Sequence, residues 1–518
     1  MYKSFFFVLI IVFLIRVISF LREIVFAHNF GVSIYTDAFN ISFRILNLVC
    51  RIFSEDIFSQ TFIPIIIEYK NKRKYSFLKI KKIINDVTTI LMWLSFFVVI
   101  LSTIFSLTIV KILLIKTKSN KKIFFLSSNL IKIMLPFIYC SSYIAISRCI
   151  LNIYNNIKIS TISLIIINIL FIISIYVVTP IFNCPIYGVG FSIFFSGIIQ
   201  ILFQIPFLRK IGILPKIYFN FFSSLKNKKA TYIFKKVLTP IISYSILQLN
   251  LLLNIKIASK LKEGSVSWLF YSDRLIEFPL ALICGVLYTI ILPILSKVFF
   301  KKNNFIYYTF FDYTLRLVFL LIFPLQIFFF TLSVPIISTL FFYNKFDINS
   351  VFMTSKTLNF YSLGLTSLLI NKVFLINFFI NKDKITPIKF SLFIMIVSQI
   401  LNYFLVPYLG HIGFSLSTAI TNILSNLFLL FIFNSKKKKS FEKGWFTFFL
   451  KIIIALIIML IFEIIISNFF NWFNVKHPLE RIMFLTFIFI SSIFVYLFSL
   501  FFLNFNFIFF KKILKFKK

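Results

Sequence analysis

Apolar runs of about twenty residues follow one another along almost the whole chain, and each is long enough to cross the ~30 Å hydrocarbon core of a bilayer as a helix. Fourteen such spans are expected, near residues 5–24, 36–56, 86–110, 123–146, 159–182, 185–207, 233–258, 266–295, 306–331, 352–380, 387–407, 412–433, 445–468 and 482–508. The apolar stretches at 57–68 and 333–343 are too short to count and are taken as helix extensions or interfacial turns. Hydrophobic residues make up 60% of the 518 and charged residues only 14%, so no interval is left for a separate soluble domain. The first segment, MYKSFFFVLIIVFLIRVISF, lacks an A-x-A cleavage pattern and is expected to be an uncleaved first helix. The fold class is therefore an all-α polytopic membrane protein.

A net charge of +40 would point to nucleic acid in a soluble chain, but here the bases cluster in short loops between spans. Nucleic-acid binding is set aside. Assigning alternate loops to two sides puts the 70s loop, the loop from Arg209 to Lys236, Lys297–Lys302, Lys436–Lys439 and the tail on one side with both termini. By the positive-inside rule that side is the cytoplasm, where the same bases meet anionic lipid headgroups. The five cysteines and three histidines show no metal-ligand spacing. Walker A, G-x-S-x-G and HExxH patterns are absent, so no catalytic residue, metal or cofactor is expected and the chain is not read as an enzyme.

The charges that remain lie inside the spans. On one helix over 36–56, Asp37, Arg44, Arg51 and Glu55 stand at i, i+7, i+14 and i+18, within roughly 40° of one direction. A charge at the bilayer centre costs about 2.5–3.5 kcal/mol, so this face must meet a polar cavity or ionic partners. Arg16 and Glu23 share a face of the first helix, with Arg22 beside them. The eighth segment carries Ser267, Asp273, Arg274 and Glu277. Two uses are open: ion pairs that hold helices together, or arginines that grip phosphate oxygens bidentately, with Asp37, Glu55, Asp273 and Glu277 tuning the charge. Polar stripes on helices 7 and 12 suit interhelical hydrogen bonding better than ligand binding, whereas Asn371 and Lys372 are cavity candidates.

The chain also echoes itself. Arg44 precedes Pro64 much as Arg274 precedes Pro293, and NNIKIS with Asn168 and GVGF parallels NKDKITP with Asn402 and HIGF. Two six-helix lobes with two added helices are expected: 1–208, a basic linker at 209–236, 237–435, and 436–518.

IRVISFLREIVFAHNFG (15–31), TDAFNISFRILNLVCRIFSEDIFSQTFIPIIIEYK (36–70), EGSVSWLFYSDRLIEFPLALICGVLYTIILPILSK (263–297) and DKITPIKF (383–390) resemble the MurJ (MviN) lipid II flippases of the MOP exporter superfamily. That resemblance implies fourteen helices in two MATE-like lobes plus two C-terminal helices that form a groove for a lipid tail. It implies a multi-pass protein of the bacterial inner membrane that moves lipid II, the undecaprenyl-pyrophosphate-linked peptidoglycan precursor, to the outer leaflet by alternating access, in support of cell-wall biogenesis and cell shape. Carried over by position, Arg16, Arg22, Arg51 and Arg274 match the family's cavity arginines. Asp37, Glu55 and Glu277 match its acids, Ser267 a cavity serine, and Arg44 a usual lysine. Cys50 departs from a usual arginine, and Ser160 from a usual proline. The drive is expected from the membrane potential or a coupling ion, and a monomer is expected. A flippase for another polyprenyl-linked saccharide, a cation-coupled drug exporter of the same superfamily, and a non-transporting scaffold stand as rivals.

Overall fold

In the computed structural model the described residues are 2–52, 55–71, 76–113, 121–154, 156–182, 184–286, 295, 298, 304–380, 383, 385–435, 444–473 and 478–505. They form helices and no strand, as backbone in an apolar chain without water must satisfy its own hydrogen bonds. Two compact units divide at Ser267/Trp268.

The first unit holds α1 (Tyr2–Phe30), α2 (Ile34–Ile52), α3 (Glu55–Asn71), α4 (Phe77–Ile104), α5 (Ser106–Leu113), α6 (Lys121–Met134), α7 (Phe137–Ile153), α8 (Ile157–Val177), α9 (Pro185–Ile211), α10 (Phe221–Lys226) and α11 (Lys228–Ala258). Helix α12 (Ser265–Val286) opens in it and continues into the second. The second unit adds α13 (Asn304–Thr331), α14 (Ser333–Phe341), α15 (Ile348–Ser362), α16 (Leu365–Ile380), α17 (Ile385–Leu409), α18 (His411–Ser435), α19 (Trp445–Asn468) and α20 (Pro478–Phe502).

Among the described residues nine helical segments are long and apolar enough to cross a membrane: α4, α6 with α7, α8, α9, α13, α17, α18, α19 and α20. A tenth is α15 with α16, bent by 44° at its break. The other four expected spans fall on α1, α2, α11 and α12, which lie outside that set. In α2 the reason is plain, since Asp37, Arg44 and Arg51 occupy 19 residues. Of the helix expected over 36–56, the described part is α2, to Ile52; Glu55 is the first described residue of α3, and its side chain lies outside the described residues. The 57–68 stretch lies within α3, and 333–343 falls on α14. Pro293 lies outside the described residues, so its echo of Pro64 has no structural counterpart here.

The two units share a packing order. Helix α9 packs on α8, α7 and α6, and α18 packs on α17, α16 and α15. Small residues let these helices approach. A Cβ on Gly197 of α9 would lie 2.6 Å from Cys140 Cβ of α7, and one on Gly364 would lie 2.7 Å from Ala419 Cα of α18. In the core of the first unit, the rings of Phe26, Phe39 and Phe171 meet at 5.0–5.8 Å and join α1, α2 and α8. Gly31, at φ +60°, ends α1 in the left-handed conformation that a side chain would oppose, and its N–H closes on Ala27 O at 2.8 Å.

Candidate functional site

Helix α2 has the ionic face that its spacing predicts, but exposure along it is graded. Asp37 is buried, Arg44 is half-buried and Arg51 is exposed. The buried end is explained by another helix. Helix α12 starts at Ser265 after Gly264, whose φ of +90° and missing side chain leave the helix without a cap of its own. Asp37 supplies one from α2. Its carboxylate accepts from Gly264 N–H at 2.7 Å, Ser267 N–H at 2.9 Å and the Ser267 hydroxyl at 2.6 Å. An anion at a helix N-terminus answers both the orphan N–H groups and the positive end of the dipole. Asn40 Nδ2 donates to Ser267 Oγ at 3.2 Å and closes the cluster. Asp37 and Ser267, 230 residues apart and both expected in a cavity, are brought together in a fully buried structural contact.

Arg22 is the second buried charge. It lies on α1, 8% exposed, bonded to Glu23 beside it and to Asn168 Oδ1 of α8 at 3.0 Å. Asn168 Nδ2 in turn donates to Ser19 Oγ at 3.0 Å. The guanidinium lies 5.0 Å from the Phe171 ring centre and 5.6 Å from that of Phe43. Its Nε has no hydrogen-bond partner. Arg16, six residues earlier, is exposed.

Two features mark the departures at Cys50 and Ser160. Cys50 is half-buried, with Ser141 Oγ of α7 at 3.7 Å from its sulfur. Ser160 sits in the first turn of α8, donates to Asn152 Oδ1 at 2.7 Å, and its carbonyl accepts from Arg148 Nε at 3.0 Å.

In the second unit Arg274 and Glu277 are paired one turn apart on α12 at 2.6 Å, with side chains 27% and 58% exposed. The Arg274 guanidinium rests over Phe270, 4.7 Å from its centroid. Asp273 is half-buried beside them. Of the two cavity candidates on α16, Asn371 is buried and donates to Ser425 Oγ of α18 at 2.8 Å, whereas Lys372 is exposed.

Sequence reasoning missed charges in the last two helices, which it treated as apolar. Arg481 at the start of α20 is 4% exposed and donates to Ser338 O at 3.4 Å, Phe342 O at 3.3 Å and Phe473 O at 3.4 Å. Glu463 of α19 is fully buried and accepts from Thr331 of α13. Trp445 Nε1 donates to Asp312 at 2.7 Å, and Asp312 pairs with Arg316 at 3.0 Å. These contacts tie α19 and α20 to α13 and α14. A lone Glu inside IFEIII was the available signal.

The family model described as "Lipid II flippase MurJ" matches residues 26–485. A lipid II flippase MurJ of Burkholderia cenocepacia is 32% identical over 468 residues, 90% of each chain. A probable lipid II flippase MurJ of Buchnera aphidicola subsp. Acyrthosiphon pisum is 34% identical over 473 residues, again 90% of each. A solved lipid II flippase MurJ in an inward closed conformation superposes with a TM-score of 0.77 at 25% identity, covering 95% of this chain and 97% of that one. An inward-facing multidrug MATE transporter of the MOP superfamily shares the fold at a TM-score of 0.65 and 14% identity, over 82% of this chain and 96% of its own. This is a multi-pass, all-helical membrane chain with the MOP-type fold, and it belongs to the lipid II flippase MurJ family.

Proposed function

We propose that this chain flips lipid II from the cytoplasmic to the outer leaflet of the bacterial inner membrane by alternating access, with both termini in the cytoplasm. Family membership over residues 26–485 carries this reading. Lipid II bears a pyrophosphate, and a guanidinium is always charged and matches phosphate oxygens with two parallel N–H donors. The arginines that retain exposure are the ones able to do this. Arg16 and Arg51 are exposed, Arg44 is half-buried, and Arg274 is held by an acid that is itself open to solvent. Glu277 occupies Arg274 when the cargo is absent and yields it to phosphate. Arg22, buried with one N–H unanswered, serves from behind by holding α1 to α8. Lobes at 1–208 and 237–435 would move as the alternating bodies, with 436–518 taking the lipid tail. No bond is made or broken, so the protein only lowers the barrier for a polar headgroup in hydrocarbon. The membrane potential, worth about 2.3 kcal/mol per charge per 100 mV, or a coupling ion supplies the drive.

Expression in a bacterium depleted of its resident lipid II flippase tests this. The chain should restore growth, and Arg51→Ala and Arg274→Ala should abolish rescue while protein levels stay normal. Full rescue by both variants would overturn the arginine roles, and no rescue by the unaltered chain would overturn the cargo.

A further inference from the structure

A pocket of about 620 Å³ lies in the first unit where α4, α10 and α11 begin, and none of the arginines considered above is among its lining residues. It is lined by Lys79, Lys82, Asp86, Tyr218, Lys226 and Lys229, among others. One wall is the non-helical segment 213–220, and four side chains of α4 hold the region from Gly212 to Tyr218. Lys81 Nζ donates to Gly212 O at 2.9 Å, Asn85 accepts from Lys216 N–H at 3.0 Å and donates to Tyr218 Oη at 3.0 Å, Thr89 accepts from Tyr218 N–H at 3.1 Å, and Trp93 donates to Tyr218 O at 3.1 Å. Asn85, Asp86 and Thr89 are polar residues buried on α4 among apolar neighbours, a costly arrangement unless their bonds are made, and those bonds fix this wall.

The pocket's charge is unbalanced. Among the described lining residues Asp86 is the one carboxylate, and both of its oxygens are engaged, by Ser224 Oγ at 3.2 Å and Asn227 Nδ2 at 2.6 Å. Four lysines face it. Lys79 and Lys229 also stand in the first turns of α4 and α11, where the helix dipole disfavours a cation. Like charges gathered around one built cavity suit a negatively charged ligand, whatever other contacts the lysines make. Leu78, Phe219 and Phe222, which flank the lining residues in sequence, are 75%, 97% and 73% exposed, as suits an interfacial position.

We propose that this pocket binds a phosphate-bearing anion, the headgroup of an anionic lipid in the adjoining leaflet or a soluble phosphate compound, through Lys79, Lys82, Lys226 and Lys229. This is distinct from cargo transport. Tyr218 and the pinned wall set its shape, and the exposed aromatic residues beside it would hold acyl chains if the source is a lipid.

Native mass spectrometry of the full chain in detergent, with phosphatidylglycerol, phosphatidylcholine or inorganic pyrophosphate as probe, tests the site. The unaltered chain should hold phosphatidylglycerol or pyrophosphate and not phosphatidylcholine. Lys79→Gln/Lys82→Gln/Lys226→Gln should weaken that binding by about a hundredfold. The triple Lys→Arg variant at the same positions should keep it, which separates lost charge from lost fold. A charge-matched control at exposed lysines outside the basic loops, Lys260→Gln/Lys262→Gln/Lys345→Gln, should bind as the unaltered chain does. Pyrophosphate that binds without lipid and displaces phosphatidylglycerol identifies a soluble ligand; lipid that pyrophosphate does not displace identifies a headgroup. Equal weakening in the control, or unchanged binding in the pocket variant, would overturn the proposal.

Discussion

Asp37 in the first unit and Arg274 in the second both arise from charges placed inside apolar segments, yet their surroundings differ. Asp37 is buried and meets three donors; Arg274 keeps 27% of its side chain exposed and is paired with a still more exposed Glu277. A charge with every partner supplied by the fold cannot release them without breaking it. A charge paired with a solvent-exposed neighbour on the same helix gives up little from that pair, because such pairs are worth only a few tenths of a kcal/mol. The first is architecture, and the second is the one proposed to meet the cargo.

Substitutions sharpen that contrast, and their effects on stability should fall in order. Asp37→Ala leaves the buried N–H groups of Gly264 and Ser267 without their acceptor, while the Ser267 hydroxyl keeps Thr36 Oγ1 at 3.0 Å, and should cost about 4 kcal/mol, seen as a large drop in the thermal unfolding midpoint of the purified chain. A midpoint within a degree or two of the parent would show that α12 does not need this cap. Arg22→Ala removes the link to Asn168 and should cost about 3 kcal/mol by the same measurement, with Arg22→Lys only partly restoring it because an ammonium lacks the guanidinium fork. Ser267→Ala removes one hydroxyl donor from Asp37 and an acceptor from Asn40, for about 1–2 kcal/mol. Arg274→Ala should change stability by only about 0.3 kcal/mol while abolishing growth rescue. If it instead unfolds the protein, the distinction between the two charges collapses. Glu277→Gln should leave the unfolding midpoint unchanged and retain rescue, since it removes the charge paired with Arg274 and keeps the guanidinium itself.

The helical class and most span positions were legible because hydrophobic length is a local property, and the shared face of Asp37, Arg44 and Arg51 followed from 100° per residue. Family resemblance pointed to the same arginines but could not rank them by exposure. Ser267 was expected in a cavity with Asp37, and its direct contact with that carboxylate was not foreseen because it depends on Gly264, which brings no capping side chain to α12. Arg481 and Glu463 escaped notice because α19 and α20 are so apolar on average that single charges vanish in a window. The pinned wall around Tyr218 left no pattern at all, since its bonds join residues 125 or more apart in the chain.

By itself, the sequence determined that the chain must be a bundle of membrane-spanning helices with charges confined to a few faces, because lipid penalises both an unsatisfied backbone and an unpaired charge. Tertiary structure decided which of those charges are consumed by the fold and which stay open. That choice depends on donors and acceptors brought from distant segments, and burial strengthens a hydrogen bond or strands a charge only once those partners are in place.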